Sequence, residues 1–550
     1  MKKKLVSFIM LLTAMSMTLA GCGSKKQEPS TNQEGQIKPG NTSSVEQVLR
    51  MNLGADPKTL DPQLNSATDG SHIINNTFEG LMREVGGELI PGMAESYEVS
   101  EDGLVYTFKL RDAKWSDGEA IKAGDFEFAW KRGANPATAS EYIDIFTSAN
   151  ILNAAKIAKG EVDVSELGVK ALDEKTLQVT LEQPAPFFLN LTAFPTFMPV
   201  REEVVGDEAW AKTPEKALSN GPFKLSEYKM GDKLVLVKNE NYWNAENVKL
   251  EKVICEMITD FSTAHTKYTA GELDINEFIP VGEIPRLMAE DDEFYVLPKI
   301  GTYYYAINMN NELMQDVNVR KALALAIDRT QIVEQVSKGG QIPSTGFMPE
   351  GIQDAQGNDF NEKAGDFGMS ETADVEKAKA LLAEAGYPGG EGFPEIEILY
   401  NTNDGHKAIA EAIQEMWKQN LGINVKLTNQ EWAVFQDTTN NNAFSHLARR
   451  GWIGDYLDPQ TMLDIFESNN GQNIGRYNNP EYDKEMQLSR TSTGQERMEH
   501  FYKAHEILME DMPIIPIYYY VANVMVNDRV QGWELNAVGK FWFGDVEIVE

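Results

Sequence analysis

Cysteine is nearly absent from this chain of 550 residues: there are two, Cys22 and Cys255, too few for a thiolate metal site. Histidine is sparse as well, six in all. His505-Glu506 lacks the second His of a zinc-protease helix, and His72, His265, His406, His446 and His500 are scattered. No metal is expected. Neither a G-x-S-x-G elbow nor a Walker loop occurs. Paired carboxylates abound in so acidic a chain, so they single out no acid–base couple. The expectation is a protein without cofactor or catalysis, with an unrecognised hydrolase as the distant alternative. Basic charge is in deficit, 50 Lys and Arg against 84 Asp and Glu, for a formal charge of −34. That excess repels polyanions and argues against a nucleic-acid partner. Screening over roughly 8 Å limits how far it could steer a ligand. No apolar run beyond the N-terminus approaches the roughly 20 residues that span a bilayer.

The N-terminus carries more information. Lys2-Lys3-Lys4 precedes a mostly apolar run from Leu5 to Leu12, then small residues ending Leu19-Ala20-Gly21-Cys22. This is the charged and then apolar pattern of a secretory signal. A Cys directly after Leu-Ala-Gly resembles a bacterial lipobox, which implies a lipidated Cys22 with cleavage just before it; a plain signal peptide is the alternative. Cys255 then has no partner for a disulfide and reads as a small buried hydrophobe. Gly23 to about Ser44 holds almost nothing to bury, the composition of a flexible tether. Anchor, tether and large body together imply work at the outer face of the bacterial cytoplasmic membrane.

The length implies two to four domains. Folded structure is expected from about Glu46, with a first strand over Val48–Leu53. Thr77-Phe78-Glu79-Gly80-Leu81 reads as helical, Leu104–Arg111 as a half-buried strand, and Trp115-Ser116-Asp117-Gly118 as a turn. Asp125 reads as the cap of a helix running through Trp130. Ile409, Ile413, Met416 and Trp417 fall on one helical face, followed by an alternating strand over Ile423–Leu427. Val375, Ala378 and Leu382 form another stripe, closed by Gly386 and Pro388. Helices alternating with short strands argue for layered α/β domains. Two runs rich in β-formers, Tyr303-Tyr304-Tyr305 and Tyr518-Tyr519-Tyr520, read as strands, either packing their rings into core or connecting lobes. Arg449-Arg450-Gly451-Trp452-Ile453-Gly454-Asp455-Tyr456-Leu457-Asp458-Pro459 reads as a strand running into a loop. There a single carboxylate could face an aromatic cavity suited to an ammonium, or sit solvated on a surface turn.

Many of these blocks occur together in a known order. YTFKLRDAKWSDG within 93–132, Asn220-Gly221-Pro222-Phe223, Asn241-Tyr242-Trp243, Val319–Arg329 and Leu382–Tyr387 resemble the extracytoplasmic solute-binding proteins of ABC importers. The branch is the peptide one, family 5, and the resemblance covers essentially everything after the tether. It implies a bilobal periplasmic-binding-protein fold of the large three-domain class II type, with two crossover strands at the hinge that let the lobes close. The implied division is a signal over 1–21, tether over 22–45, a discontinuous domain I (46–78, 202–303, 521–550), domain II over 79–201 and domain III over 304–520.

The implied function is capture of short oligopeptides and delivery to a membrane permease with its ATPases, by a lipid-anchored monomer. Signalling peptides, nickel complexes, haem and oligosaccharides are the alternative cargoes. Shared peptide groups would be gripped through main-chain hydrogen bonds, with hydrated pockets tolerating varied side chains. Matched onto the family motifs, Asp455 binds the α-ammonium within Gly451-Trp452-x-x-Asp455-Tyr456, with Trp452 as the wall behind it and Tyr456 beside it. Arg449 and His406 are the carboxylate partners, Trp432 a side-chain pocket wall, and Tyr142 a neighbour of the ligand backbone; Tyr305 also faces the ligand. Two departures stand out. Thr439-Asn440-Asn441-Asn442 replaces a basic segment, removing a further carboxylate-binding Arg, and Ser66 or a neighbour replaces an acidic ligand-facing residue. Asp458-Pro459 is expected to be only the turn.

Overall fold

The computed structural model describes residues 45–207 and 209–550, and at Trp432 and Ala433 the backbone alone. The signal segment, Cys22 and nearly all of the tether therefore lie outside the described residues.

One sheet of eleven strands runs through the molecule. In chain order its main strands are β1 (Val48–Asn52), β2 (Phe223–Lys229), β3 (Lys233–Lys238), β4 (Lys252–Glu256) and β5 (Ile275–Asn276). Then come β6 (Phe294–Ile307), β7 (Ile396–Asn401), β8 (Val425–Gln430), β9 (Leu447–Ile453) and β10 (Ile514–Val526). Their spatial order is β8-β7-β9-β6-β10-β5-β1-β4-β3-β2, with the short strand Ile342–Pro343 pairing with β10 off this path. Parallel pairs (β1 with β4 and β5, β7 with β8 and β9) occur in two blocks, separated by the antiparallel pairs of β6 and β10. Helices covering the sheet supply the α/β layering that the periodicities predict. A separate antiparallel sheet of four strands sets Ala94–Val99, Val105–Leu110, Thr176–Thr180 and Val169–Asp173 side by side.

The two tyrosine runs lie on the longest strands, β6 and β10, which pair with each other along almost their full length. Their register breaks between Pro298 and Thr302. On one side of the break, Phe294–Pro298 pairs with Met525–Val521, next to β5 and the core built from the early strands and the C-terminal segment. On the other side, Thr302–Ala306 pairs with Tyr519–Ile514 on one edge and with β9 on the other, inside a second core drawn from 300–518. At the break, Ile300 N–H donates to Ala537 O at 2.9 Å and Ile300 O accepts from Gly454 N–H at 2.8 Å. A loop of the second core and the C-terminal segment thus converge on one strand interruption.

Several local expectations shift. The helix near 77–81 lies earlier, Thr68–Thr77. It stops because the Glu79 N–H is taken by the Asn220 side chain at 3.0 Å and Gly80 passes so close to the Thr192 carbonyl that no Cβ fits. Asp125 is the third residue of Ala123–Ala134, not its cap; its carboxylate accepts from Lys122 N–H and from the Trp115 indole N–H, both at 3.0 Å. The strand expected at Ile423–Leu427 is Val425–Gln430, its register set by parallel pairing of Val425 through Gln430 with Ile396 through Asn401. The helix Asp404–Leu421 does bury Ile409, Ile413, Met416 and Trp417. Cys255 is fully buried, and desolvation pushes its thiol up to about 12. Among the described residues no helix is long and apolar enough to cross a membrane.

Candidate functional site

Pairing of β9 with β6 decides where each predicted side chain goes. Arg449 lies opposite Tyr305, Gly451 opposite Tyr303 and Ile453 opposite Gly301. Alternation along a strand puts these residues on one face and Arg450 and Trp452 on the other. Tyr518 faces Tyr303 from β10, their rings stacked at 4.7 Å. The face thus carries Tyr303, Tyr305, Tyr518 and Tyr520 around one guanidinium. Arg449 donates to the Tyr520 hydroxyl at 3.1 Å and to Asn401 Oδ1 at 3.5 Å, and its guanidinium carbon lies 4.7 Å from the centre of the Tyr303 ring. A Cβ at position 451 would meet the Tyr520 hydroxyl, so any larger residue there would have to displace that ring.

His406, in the first turn of the helix Asp404–Leu421, has Nδ1 3.3 Å from the Tyr303 hydroxyl. Desolvation, helped by the positive Arg449, pushes its imidazole down to about 4. Near neutral pH, Arg449 is therefore the cation on this face, and His406 is a neutral hydrogen-bonding group beside it.

Beyond Ile453 the chain leaves the sheet. Gly454 is packed so closely against Ile300 and Thr461 that a side chain would collide with both. Asp455 N–H donates to Thr461 Oγ1 at 3.1 Å, and the Trp452 indole donates to Thr461 O at 2.6 Å from the opposite face. Asp458 caps the helix Pro459–Leu463 and forms a two-pronged pair with Arg497 at 2.6 and 2.7 Å. This is a buried clamp that fixes the loop, more than the simple turn expected of Asp458-Pro459. The result is one aimed carboxylate. Asp455 Oδ1 accepts from the Tyr142 hydroxyl at 3.4 Å. Desolvation raises its carboxyl to about 6, restrained by nearby Lys540 and by the Tyr142 bond.

Asp455 borders a cavity of about 190 Å³, whose wall includes Ser66, Tyr142, Phe194, Lys299 and Lys540. A smaller cavity of about 90 Å³ adjoins it, sharing Asp455, Phe194 and Lys540 and adding Tyr456 and Glu84. A larger groove of about 660 Å³ lies between 363–368 and the helix Gly494–Asp511. None of the sequence-predicted residues lines it.

The predicted residues therefore fall into two groups. Asp455, Tyr142 and Tyr456 gather at the strand break, Tyr456 buried and stacked on Phe187 at 5.4 Å. Arg449, His406 and Tyr305 gather on the tyrosine face. Trp452 does not join Asp455 at the cavity wall; its ring packs on the opposite face of β9 against the second core. The Trp432 side chain lies outside the described residues. Ser66 donates to Glu141 Oε2 at 2.6 Å, so a carboxylate from another part of the chain stands next to it. Sequence reading missed Lys299, Lys540 and Glu84. Lys299 has a faint signal, a lysine between Pro298 and Ile300 just ahead of a tyrosine run; Lys540 and Glu84 have none, being far from Asp455 in the chain.

Comparison with known proteins agrees with this architecture. The sequence profile of the family described as "Bacterial extracellular solute-binding proteins, family 5 Middle" matches residues 88–473. The oligopeptide-binding protein OppA of Bacillus subtilis (strain 168) is 35% identical over 558 residues, covering 98% of this chain and 99% of that protein. Among solved structures, the unliganded open form of the periplasmic murein tripeptide binding protein MppA superposes with a TM-score of 0.79 at 35% identity, over 92% of this chain and 98% of that one. Haemophilus influenzae OppA in complex with the peptide RPPGFSPFR gives 0.75 at 34% identity, over 92% and 100%. With the two long strands joining two cores and the charged groups gathered along them, this chain belongs to the family 5 bacterial extracellular solute-binding proteins and has their mixed α/β, two-lobed fold.

Proposed function

We propose that this chain is the lipid-anchored substrate-binding protein of an ABC importer, capturing short oligopeptides between its lobes and handing them to a membrane permease. The observation that carries the reading is the pairing of opposite charges along β9 and its exit loop: Arg449 on the tyrosine face and Asp455 at the strand break. A free peptide in extended form is charged in the same way, ammonium at one end and carboxylate at the other. Arg449 lies six positions before Asp455. At about 3.3 Å per residue that is at most roughly 20 Å between their Cα atoms. Four extended peptide residues span roughly 13 Å, and side chains reaching inward from both ends take up the remainder.

In this reading Asp455 holds the α-ammonium, Tyr142 steadies that carboxylate, and Arg449 with His406 receives the carboxylate. At 4 Å and an effective dielectric near 20 the ammonium–carboxylate attraction is about 4 kcal/mol before desolvation is subtracted. The domain division and the hinge at β6 and β10 follow the family pattern, with 79–201 and the segments of domain I closing against 304–520. Membrane attachment rests on Leu19-Ala20-Gly21-Cys22. The relatives whose names record oligopeptide or murein tripeptide binding support the cargo class.

The test is mass spectrometry of ligands that copurify with the protein, followed by titration with free and N-acetylated forms of one peptide. A mixture of short peptides, and loss of most of the affinity on acetylation, is expected. Equal binding of the two forms would sink the role of Asp455, and a copurifying sugar or metal complex would overturn the cargo.

A further inference from the structure

The cavity beside Asp455 has an uneven charge balance. Two lysines, Lys299 and Lys540, reach it from different parts of the chain. Lys299 sits at the strand break, its Nζ next to Gly539, where an added Cβ would approach it to 3.1 Å. Lys540 comes from the C-terminal segment, its backbone N–H bonded to Asn536 Oδ1 at 2.7 Å and its ammonium 4.4 Å from the centre of the Phe194 ring. Among the described residues neither ammonium has a hydrogen-bonded or ion-paired carboxylate within the reach of a salt bridge. The charged groups around them are few. Glu277 lies on the Lys299 side and is itself 3.4 Å from His72 Nε2; Glu84 and Asp455 lie on the Lys540 side. Desolvation lowers both lysines, Lys540 to about 8, and raises Glu84 to about 7.

A peptide ammonium arriving at Asp455 brings a third positive charge into this space and takes up the carboxylate that Lys540 otherwise feels. Once the ligand's ammonium takes up Asp455, Lys540 keeps only Glu84 nearby and Lys299 only Glu277, neither of them ion-paired to it, so a ligand that supplies a further carboxylate gains attraction there. We propose that Lys299 and Lys540 make this protein selective for peptides carrying an acidic side chain within their first two residues, the side-chain carboxylate lying between the two ammonium groups while Asp455 holds the α-ammonium. This rests on the peptide-binding reading above. A generic hydrated pocket needs no fixed charge, whereas two lysines held in the wall beside the ammonium site set a preference for one class of side chain.

Isothermal titration with tetraalanine, with Glu at position one or two, and with Gln at the same positions tests the selectivity. Glu is expected to bind at least tenfold more tightly than Gln at one of the two positions. That ratio is expected to fall to within about twofold in both Lys299→Met and Lys540→Met. Thermal melting of each variant checks folding, and the native protein's Glu/Gln ratio is decisive even if a variant fails to fold. A Glu/Gln ratio below about two at both positions overturns the selectivity, as does a ratio that persists in both variants. Tetraalanine separates the two failures: if it binds without any gain from Glu, only the lysine assignment falls; if none of the peptides binds, the peptide reading falls with it.

Discussion

If Asp455 holds the peptide ammonium as proposed, the pH dependence of capture follows from it. Its carboxyl sits near 6 because the charged form is poorly solvated there. Only the carboxylate can hold an ammonium, so protonation competes with the ligand. For a group of pKa about 6, linkage makes the apparent dissociation constant about 1.1 times its limiting value at pH 7 and about tenfold larger at pH 5. The peptide ammonium itself, with pKa near 8, limits binding on the alkaline side. Calorimetry from pH 7.5 to 4.5 should therefore show affinity falling steadily below pH 6. Titration in buffers of different ionisation enthalpy should show about 0.9 proton released per peptide bound at pH 5. His406 and His505, pushed down to about 4 and about 3, titrate below this window. Glu84 and Asp464, both raised to about 7, titrate inside it, so Asp455→Asn is the control: it should bind weakly and lose the acid limb. Constant affinity from pH 7.5 to 5, or no proton release at pH 5, would refute the assignment of Asp455 to the ammonium.

Further outcomes are expected. Because the folded carboxyl of Asp455 is raised from its usual value near 4 to about 6, the empty protein is stabilised by this group at low pH. It loses that contribution as pH rises through 6, by roughly 3 kcal/mol. Asp455→Asn should therefore raise the melting temperature of the ligand-free protein at pH 7.5 by a degree or more, and scanning calorimetry of the ligand-free protein would expose the opposite sign. Asp458→Ala leaves Arg497 buried without its carboxylate and should destabilise by roughly 3–5 kcal/mol, measured by denaturant unfolding. Gly451→Ala drives a methyl into the Tyr520 hydroxyl beside Arg449; affinity should fall more for peptides with a free carboxylate than for their C-terminal amides. Cys22→Ala should abolish incorporation of labelled fatty acid and release the protein from the membrane fraction.

What could be read from the sequence was local or carried by motif. The helix Asp404–Leu421 and the tyrosine strands were legible because their periodicity is imposed by neighbours in the chain. Asp455 stood out because Gly454, the adjacent aromatics and Asp-Pro concentrate signals of a strand exit within a few residues. Trp452 was misjudged as the wall behind Asp455 because strand alternation turns its ring to the other face, and the local sequence does not say which face borders the cavity. The helix near Thr77 ended early for a similar reason, the contacts that stop it coming from Asn220 and Thr192.

The sequence by itself thus determined the α/β class, the family pattern, the acidic charge and the carboxylate at the strand exit. Only the tertiary structure decided which charges share a cavity. Lys299, Lys540, Glu84 and Asp455 are brought together by a break in one strand and by a C-terminal segment that bonds to it at Ile300. Contacts between residues so distant in the chain leave no periodicity and no spacing to read, since they depend on how separate segments pack once each has folded.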